Sequence, residues 1–197
     1  ESNDICISRS FCPANRNSEQ LPISDTLVTP QASPSAQQVY SYLRSIWGEK
    51  TISGQQDLTW FDDIDMFQRV LDETGKAPAL MGYDFMNYSL SNISGLQQTE
   101  EAIEHWNRGG LITFAWHWRD PSRNTQEFYT DRTAFQIPVS SNGALNTSHP
   151  VFQQMRDDID QIAGELKRLQ DSGVVVLWRP LHEAAGGWFW WGRTRTD

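Results

Sequence analysis

Along the chain, stretches with apolar residues every three or four positions alternate with short unbroken apolar runs, the patterns of helices and buried strands. In "SPSAQQVYSYLRSIWG" (33–48), Val39, Leu43, Ile46 and Trp47 fall at helical spacing between Ser-Pro and Gly48. A helix is predicted there, with Trp47 filling core. "TISG" (51–54) reads as a short strand and "APALMG" (77–82) as a buried one. Between them, "FDDIDMFQRVLDETG" (61–75) reads as a helix with acids in its first turn and Gly75 as its stop. The alternation then repeats. "TEEAIEHWNRGG" (99–110) is a helix capped by Thr99, with Trp106 as core, and "LITFAW" (111–116) is a strand. "HPVFQQMRDDIDQIAGELKRLQDSG" (149–173) is a long amphipathic helix between Pro150 and Gly173. Its apolar face carries Phe152, Met155, Ile159, Ile162, Leu166 and Leu169. The last strand is "VVVLW" (174–178), a continuous apolar run suited to a parallel sheet covered on both faces.

Strands alternating with helices make βα units and a parallel sheet. Strand starts near 51, 78, 111 and 174 give two regular repeats and one stretched by a loop over 119–148. A loop of that length in a compact domain is functional or disordered. Gly109-Gly110 and Gly186-Gly187 lack the spacing of a dinucleotide or phosphate loop. Part of a (β/α)8 barrel therefore fits better than a doubly wound sheet. Residues 1–32, rich in Ser, Asn, Pro and Asp, read as a leader or wrapping segment before a domain over 33–197.

Composition narrows the function. A net charge of −9 with 16 scattered basic residues argues against nucleic acid. The run at 174–178 is far short of the roughly 20 residues a membrane span takes. Cys6 and Cys12 have no CxxC spacing and no His partner; a small disulfide loop and two free thiols both fit. Sequons at Asn87, Asn92 and Asn146 permit glycosylation in a eukaryotic secretory host. The chain opens on Glu1 without a signal-peptide pattern, so export is expected with any signal already removed. Of nine tryptophans, six fall in two short windows: Trp116, Trp118, Trp178, Trp188, Trp190 and Trp191.

A barrel keeps its site at the carboxyl ends of its strands. Those ends carry Asp57 in "GQQD", Asp84 in "GYDF", His117 and Asp120 in "WHWRD", and His182 and Glu183 in "RPLHE". The set suits glycoside hydrolysis, in which one carboxylic acid protonates the leaving oxygen and a second carboxylate acts as nucleophile or activates water. Tryptophans stack on the apolar faces of pyranose rings, while His, Asp and Arg hydrogen-bond the hydroxyls. Trp188, Phe189, Trp190 and Trp191 predict a poorly solvated Glu183 with the raised pKa a general acid needs. The plainer alternative for Glu183 is an ion pair with Arg179 or a nearby Arg. "HEAAG" has Gly186 where a zincin needs its second His, and His105, His117, His149 and His182 form no ligand pattern. No G-x-S-x-G elbow is present. Neither metal nor cofactor is expected.

"RPLHEAAGGWFWWG" (179–192) resembles the segment closing the fourth strand in glycoside hydrolase family 26, the β-mannanase family of retaining (β/α)8 enzymes. "GGLITFAWHWRDP" (109–121) resembles its third-strand segment, and "ISGQQD" and "GYDF" resemble its first and second strand ends. The resemblance, from about residue 33 to 192, implies that Glu183 is the acid/base, His182 its neighbour, Trp188 a stacking residue and His117 a cleft residue. Trp118, Asp120, Asp84 and Trp191 complete the expected substrate-binding set. Ala184 and Ala185 stand where the family often has Met-Asn, which removes an amide beside the acid. The family's nucleophile closes the seventh strand, whereas this chain predicts four strands. The chain thus reads as the amino-terminal half of a barrel of about 250 residues, the rest expected in another chain or segment.

The implied protein is a secreted, endo-acting, retaining hydrolase of β-1,4-mannosidic linkages in plant mannan, galactomannan or glucomannan. Its rivals are a same-fold hydrolase of mixed-linkage glucan or β-1,3-xylan, and a non-catalytic carbohydrate-binding protein. An inverting pair of Glu183 with Asp120 or Asp84 needs carboxyls roughly 6.5–9.5 Å apart.

Overall fold

The computed structural model of the chain describes residues 23–59, 64–89 and 97–192; Cys6, Cys12 and Asn92 lie outside them. The chain divides into two compact units, Glu1–Thr51 and Ile52–Asp197.

The first unit contains helix α1 (Pro34–Ser45). Ser33 caps it, its hydroxyl accepting from Ala36 N at 3.2 Å, and Pro34 supplies the first turn. Tyr40 donates its hydroxyl to Ser24 O at 2.6 Å, and Arg44 pairs with Asp25. Val39, Leu43 and Ile46 are half-buried as the spacing predicts. Trp47 is not core: it is 57% exposed. The helix ends at Ser45, and the backbone at Ile46 turns away from helical values before the stripe reaches Trp47.

The second unit is built on four parallel strands paired in sequence order: β1 (Gly54–Gln56), β2 (Leu80–Asp84), β3 (Leu111–Ala115) and β4 (Val176–Arg179). Leu80 pairs with Gly54 and Leu111, and Ile112 with Val176. Crossovers run through α2 (Met66–Thr74), α3 (Gln98–Asn107) and α4 (Pro150–Asp171). Strands in sequence order joined by helices form a barrel wall. β1, β2 and β4 all start two or three residues later than their apolar runs predict. Their carboxyl ends carry Gln55, Gln56, Asp84 and Arg179, polar residues that the sequence pattern assigns to turns. On one face of β2 and β3, Met81, Tyr83, Ile112 and Phe114 are buried in a core shared with Ala102 of α3 and Met155, Ile162 and Leu169 of α4. Trp106 packs against that core. The alternate residues, Gly82, Asp84, Thr113 and Ala115, face the other way, toward the barrel interior.

Local chemistry sets the helix ends. Asp65 caps α2 by accepting from Gln68 N at 2.9 Å, and Gly75 takes the left-handed stop at φ 69°. Thr99 does not cap α3. It sits inside the first turn and donates its hydroxyl to Glu165 Oε2 of α4 at 2.8 Å. His149 caps α4, its Nδ1 accepting from Val151 N at 3.2 Å. The buried line of α4 runs Met155, Asp158, Ile162, Glu165, Leu169, while Ile159 is 46% exposed. Asp158 displaces Ile159 from the core side because Trp118 Nε1 at 2.9 Å and Arg123 Nη1 at 2.8 Å satisfy its carboxylate there.

Candidate active site

Asp84 ends β2, where its carboxylate meets the start of the β3–α4 loop. Oδ1 accepts from Met86 N at 2.8 Å and His117 N at 3.0 Å, and Oδ2 binds His117 Nδ1. A carboxylate partner fixes the proton of His117 on Nδ1. His117 Nε2 lies 3.2 Å from His182 Nε2. Burial, reinforced by the adjacent His117, holds the His182 pKa below the usual imidazole range, so this ring stays neutral. Its Nδ1 is buried without a hydrogen-bond partner.

Two residues with left-handed backbones, Leu181 at φ 49° and Glu183 at φ 56°, bracket His182. Such conformations cost side-chain-bearing residues about 1–3 kcal/mol each, so neighbouring contacts must hold them. Trp191 Nε1 donates to His182 O at 2.9 Å, and Gly186 N donates to Glu183 O at 2.9 Å. Trp188 Nε1 donates to Glu183 Oε2 at 3.0 Å. The Trp188 ring lies directly over Gly186, where a Cβ would come within 2.1 Å of it. Glu183 is exposed and Trp188 is 48% exposed, which corrects the expectation of a poorly solvated carboxyl. Of the four neighbouring aromatics only Trp188 reaches it: Phe189 and Trp190 turn inward and Trp191 is spent on His182. Among the described residues Glu183 forms no ion pair, with Arg179 or any other cation.

An aromatic wall stands behind the histidines. Phe189, 3% exposed, stacks on Trp191 with ring centres 4.5 Å apart and meets His117 edge-on at 5.1 Å. Phe128, from the β3–α4 loop, lies 4.8 Å from His117. The loop and the β4 segment clasp each other: Thr130 N donates to Trp188 O at 2.8 Å and Trp190 N to Phe128 O at 3.0 Å. Arg119 fastens the base of the loop by donating to Met86 O at 2.9 Å, Gln126 O at 2.6 Å and Asn87 Oδ1 at 3.1 Å. Sequence reasoning missed Phe128, Phe189 and Arg119 as site residues. The adjacent aromatics Phe128-Tyr129 in a polar loop are the signal that points to the first.

The structure thus brings together Asp84, His117, His182, Glu183, Trp188 and Trp191. It takes two residues of the expected set elsewhere. Trp118 is 6% exposed, stacks on Trp116 at 4.4 Å and bonds Asp158, so it belongs to the core. Asp120 is 1% exposed and closes the loop on itself, accepting from Ser122 N at 2.7 Å, Ser122 Oγ at 2.5 Å and Thr133 Oγ1 at 2.6 Å. Asp57 is also apart. With Asp65 and Glu101 it lines a small cavity beside Tyr83, whose hydroxyl pKa is pushed up by burial and these three carboxylates. Among the described residues no group of three or more His, Cys, Asp or Glu has a metal-holding arrangement. An exposed carboxyl with an indole donor, next to two contacting imidazoles and an aromatic wall, can hold a polyhydroxylated ring and exchange a proton with it.

Comparison with known proteins agrees with this geometry. The chain is 46% identical over 186 residues to the mannan endo-1,4-beta-mannosidase of Thermothelomyces thermophilus, spanning 89% of this chain and 37% of that protein. Mannan endo-1,4-beta-mannosidase B of a Piromyces species is 32% identical over 180 residues, spanning 86% and 31%. The crystal structure of the Podospora anserina GH26-CBM35 beta-(1,4)-mannanase matches with a TM-score of 0.77 at 41% identity, over 91% of this chain and 40% of that one. A beta-mannanase from a symbiotic protist of the termite Reticulitermes speratus, solved with a gluco-manno-oligosaccharide, matches at 0.73 and 35% identity, over 86% and 55%. The chain therefore spans about a third of the length of these curated relatives, and its four parallel strands form part of a (β/α)8 barrel. The sequence profile of glycosyl hydrolase family 26 matches residues 28–197, and the chain belongs to that family.

Proposed function

We propose that the protein containing this chain is a retaining endo-β-1,4-mannanase and that Glu183 is its acid/base. The observation that carries this reading is the Trp188–Glu183 hydrogen bond of 3.0 Å at the carboxyl end of β4, beside the Asp84–His117–His182 chain. In the first step Glu183 gives its proton to the leaving glycosidic oxygen while a second carboxylate attacks the anomeric carbon. In the second step Glu183 takes a proton from the water that resolves the glycosyl-enzyme. The second carboxylate, about 5–5.5 Å away in a retaining enzyme, comes from outside these 197 residues. An inverting pair is disfavoured because Asp84 and Asp120 already have both oxygens hydrogen-bonded.

Asp84, His117 and His182 form a hydrogen-bonded floor beside Glu183, and Trp188 and Trp191 offer faces to the pyranose. The mannanase names of the relatives support mannan, galactomannan or glucomannan as substrate. A polymer of that size is met outside the cell, so we read the protein as secreted.

The test is Glu183→Gln in the complete protein. Hydrolysis of mannan should fall by about 10²–10⁴-fold, the usual value of a positioned acid/base, while manno-oligosaccharide binding persists. Hydrolysis near the wild-type rate would sink the assignment. Reducing-sugar release from mannan, mixed-linkage glucan and β-1,3-xylan separates mannanase from its same-fold rivals.

A further inference from the structure

We propose that Asn146 carries an N-linked glycan, a reading that rests on export through a eukaryotic secretory pathway. The sequons are chemically alike in sequence but not in the fold. Asn87 is 8% exposed and both ends of its amide are used: Nδ2 donates to Thr59 O at 3.0 Å, and Oδ1 accepts from Arg119 Nη2 at 3.1 Å. The hydroxyl residue of that sequon, Ser89, is fully buried. A sugar on Asn87 Nδ2 has no room in this buried position and would force the amide away from Thr59 O and Arg119, loosening the base of the β3–α4 loop, so folded protein carries none.

Asn146 is the opposite case. It stands at the foot of an exposed hairpin closed by the Val139–Leu145 bridge and by Ser140 N donating to Ala144 O at 2.8 Å. Its backbone is fixed on both sides, its N donating to Pro138 O at 2.9 Å and its O accepting from His149 N at 3.1 Å. Its side chain bonds through oxygen alone, Oδ1 accepting from Ser148 N at 3.2 Å. Nδ2 forms no hydrogen bond among the described residues, and Thr147 and Ser148 are exposed. Every contact that orders Asn146 therefore survives substitution on Nδ2.

The hairpin also leaves apolar surface uncovered. Ile137, Val139 and Leu145 are 42%, 45% and 55% exposed. Val139 and Leu145 face each other across the bridge. In the transfer, Asn146 Nδ2 attacks the anomeric carbon of a lipid-linked oligosaccharide pyrophosphate. The N–C bond forms, the bond from that carbon to the pyrophosphate oxygen breaks, the lipid pyrophosphate leaves and the amide nitrogen loses one proton.

The complete protein, secreted from a eukaryotic host and purified in folded form, is treated with peptide N-glycosidase in heavy-oxygen water, which marks each former glycan site as labelled Asp. Peptide mapping should show the label at position 146 and none at 87. Asn146→Gln, and Ser148→Ala, which keeps the Asn side chain and breaks only the sequon, should both remove the label at 146. Recovery of the Asn146 peptide wholly unlabelled from folded secreted protein overturns the proposal, as does label at 146 that survives Ser148→Ala. Because glycan occupancy is read without any assay of hydrolysis, a failed mannanase assignment leaves this result intact.

Discussion

The acid/base role proposed for Glu183 depends on one indole, and that indole depends on the absence of a Cβ at residue 186. A Cβ there would fall 2.1 Å from the Trp188 ring, and the half-exposed ring is free to swing outward. Gly186→Ala should therefore break the Trp188–Glu183 bond. A hydrogen bond to a charged group is worth about 1.5–3 kcal/mol, less at this exposure, so kcat/KM on mannan should drop about 10-fold. KM should rise with it if Trp188 also stacks the sugar; unchanged steady-state kinetics in this variant would refute the role given to the indole. At this scale the sequence is informative about which residue types gather and less so about where they point. Asp84, His117, His182 and Glu183 are legible because each follows a strand. Trp118 and Asp120 are not, because residues just past a strand still alternate: Trp116 and Trp118 stack on one side while His117 faces Asp84. Adjacency in sequence hides that division.

Among the elements, α4 shows how a helix can be foreseen while its buried stripe is not. Pro150 and Gly173 delimit it in sequence as they do in the fold. The stripe passes through Asp158, which is fully buried, and the donors that make this tolerable come from Trp118 and Arg123, some forty residues earlier in a loop. Helical periodicity carries no record of such partners, so it selects Ile159 instead. Removing the cation should be costly. Arg123→Ala in the complete protein removes a charged donor from a buried carboxylate and should lower unfolding stability by about 3 kcal/mol, read from urea denaturation. Trp118→Phe removes only a neutral donor and should cost about 1 kcal/mol. Equal effects from the two variants would show that charge pairing is not what holds Asp158 in the core.

For the molecule as a whole, acid should be destabilising through two imidazoles. Burial holds the pKa of His105 below the ordinary value, partly opposed by the Ala79 carbonyl and furthered by Arg108; His182 is held down by burial and by His117. The unfolded chain then binds more protons than the folded one just below the usual His pKa of about 6.5. Stability from this source is complete above that pH and is lost as pH falls toward the lowered values. His105→Leu should flatten the decline in melting temperature below pH 6.5 relative to wild type; parallel curves would show that His105 contributes none of it. The order of the sheet was readable from βα alternation, because parallel neighbours need helical crossovers. The pairing of the β3–α4 loop with the β4 segment was not, since three backbone residues on each side meet across some sixty positions of chain. That clasp makes the turn after β4 a poor candidate for transplantation. Residues 179–192 moved alone onto another barrel would arrive without Phe128 and Thr130, leaving the bonds of Trp191 and Gly186 to hold Leu181 and Glu183 in their left-handed backbones unaided. The portable module, for design and for recombination between relatives, is the pair of loops together with Arg119 at their base.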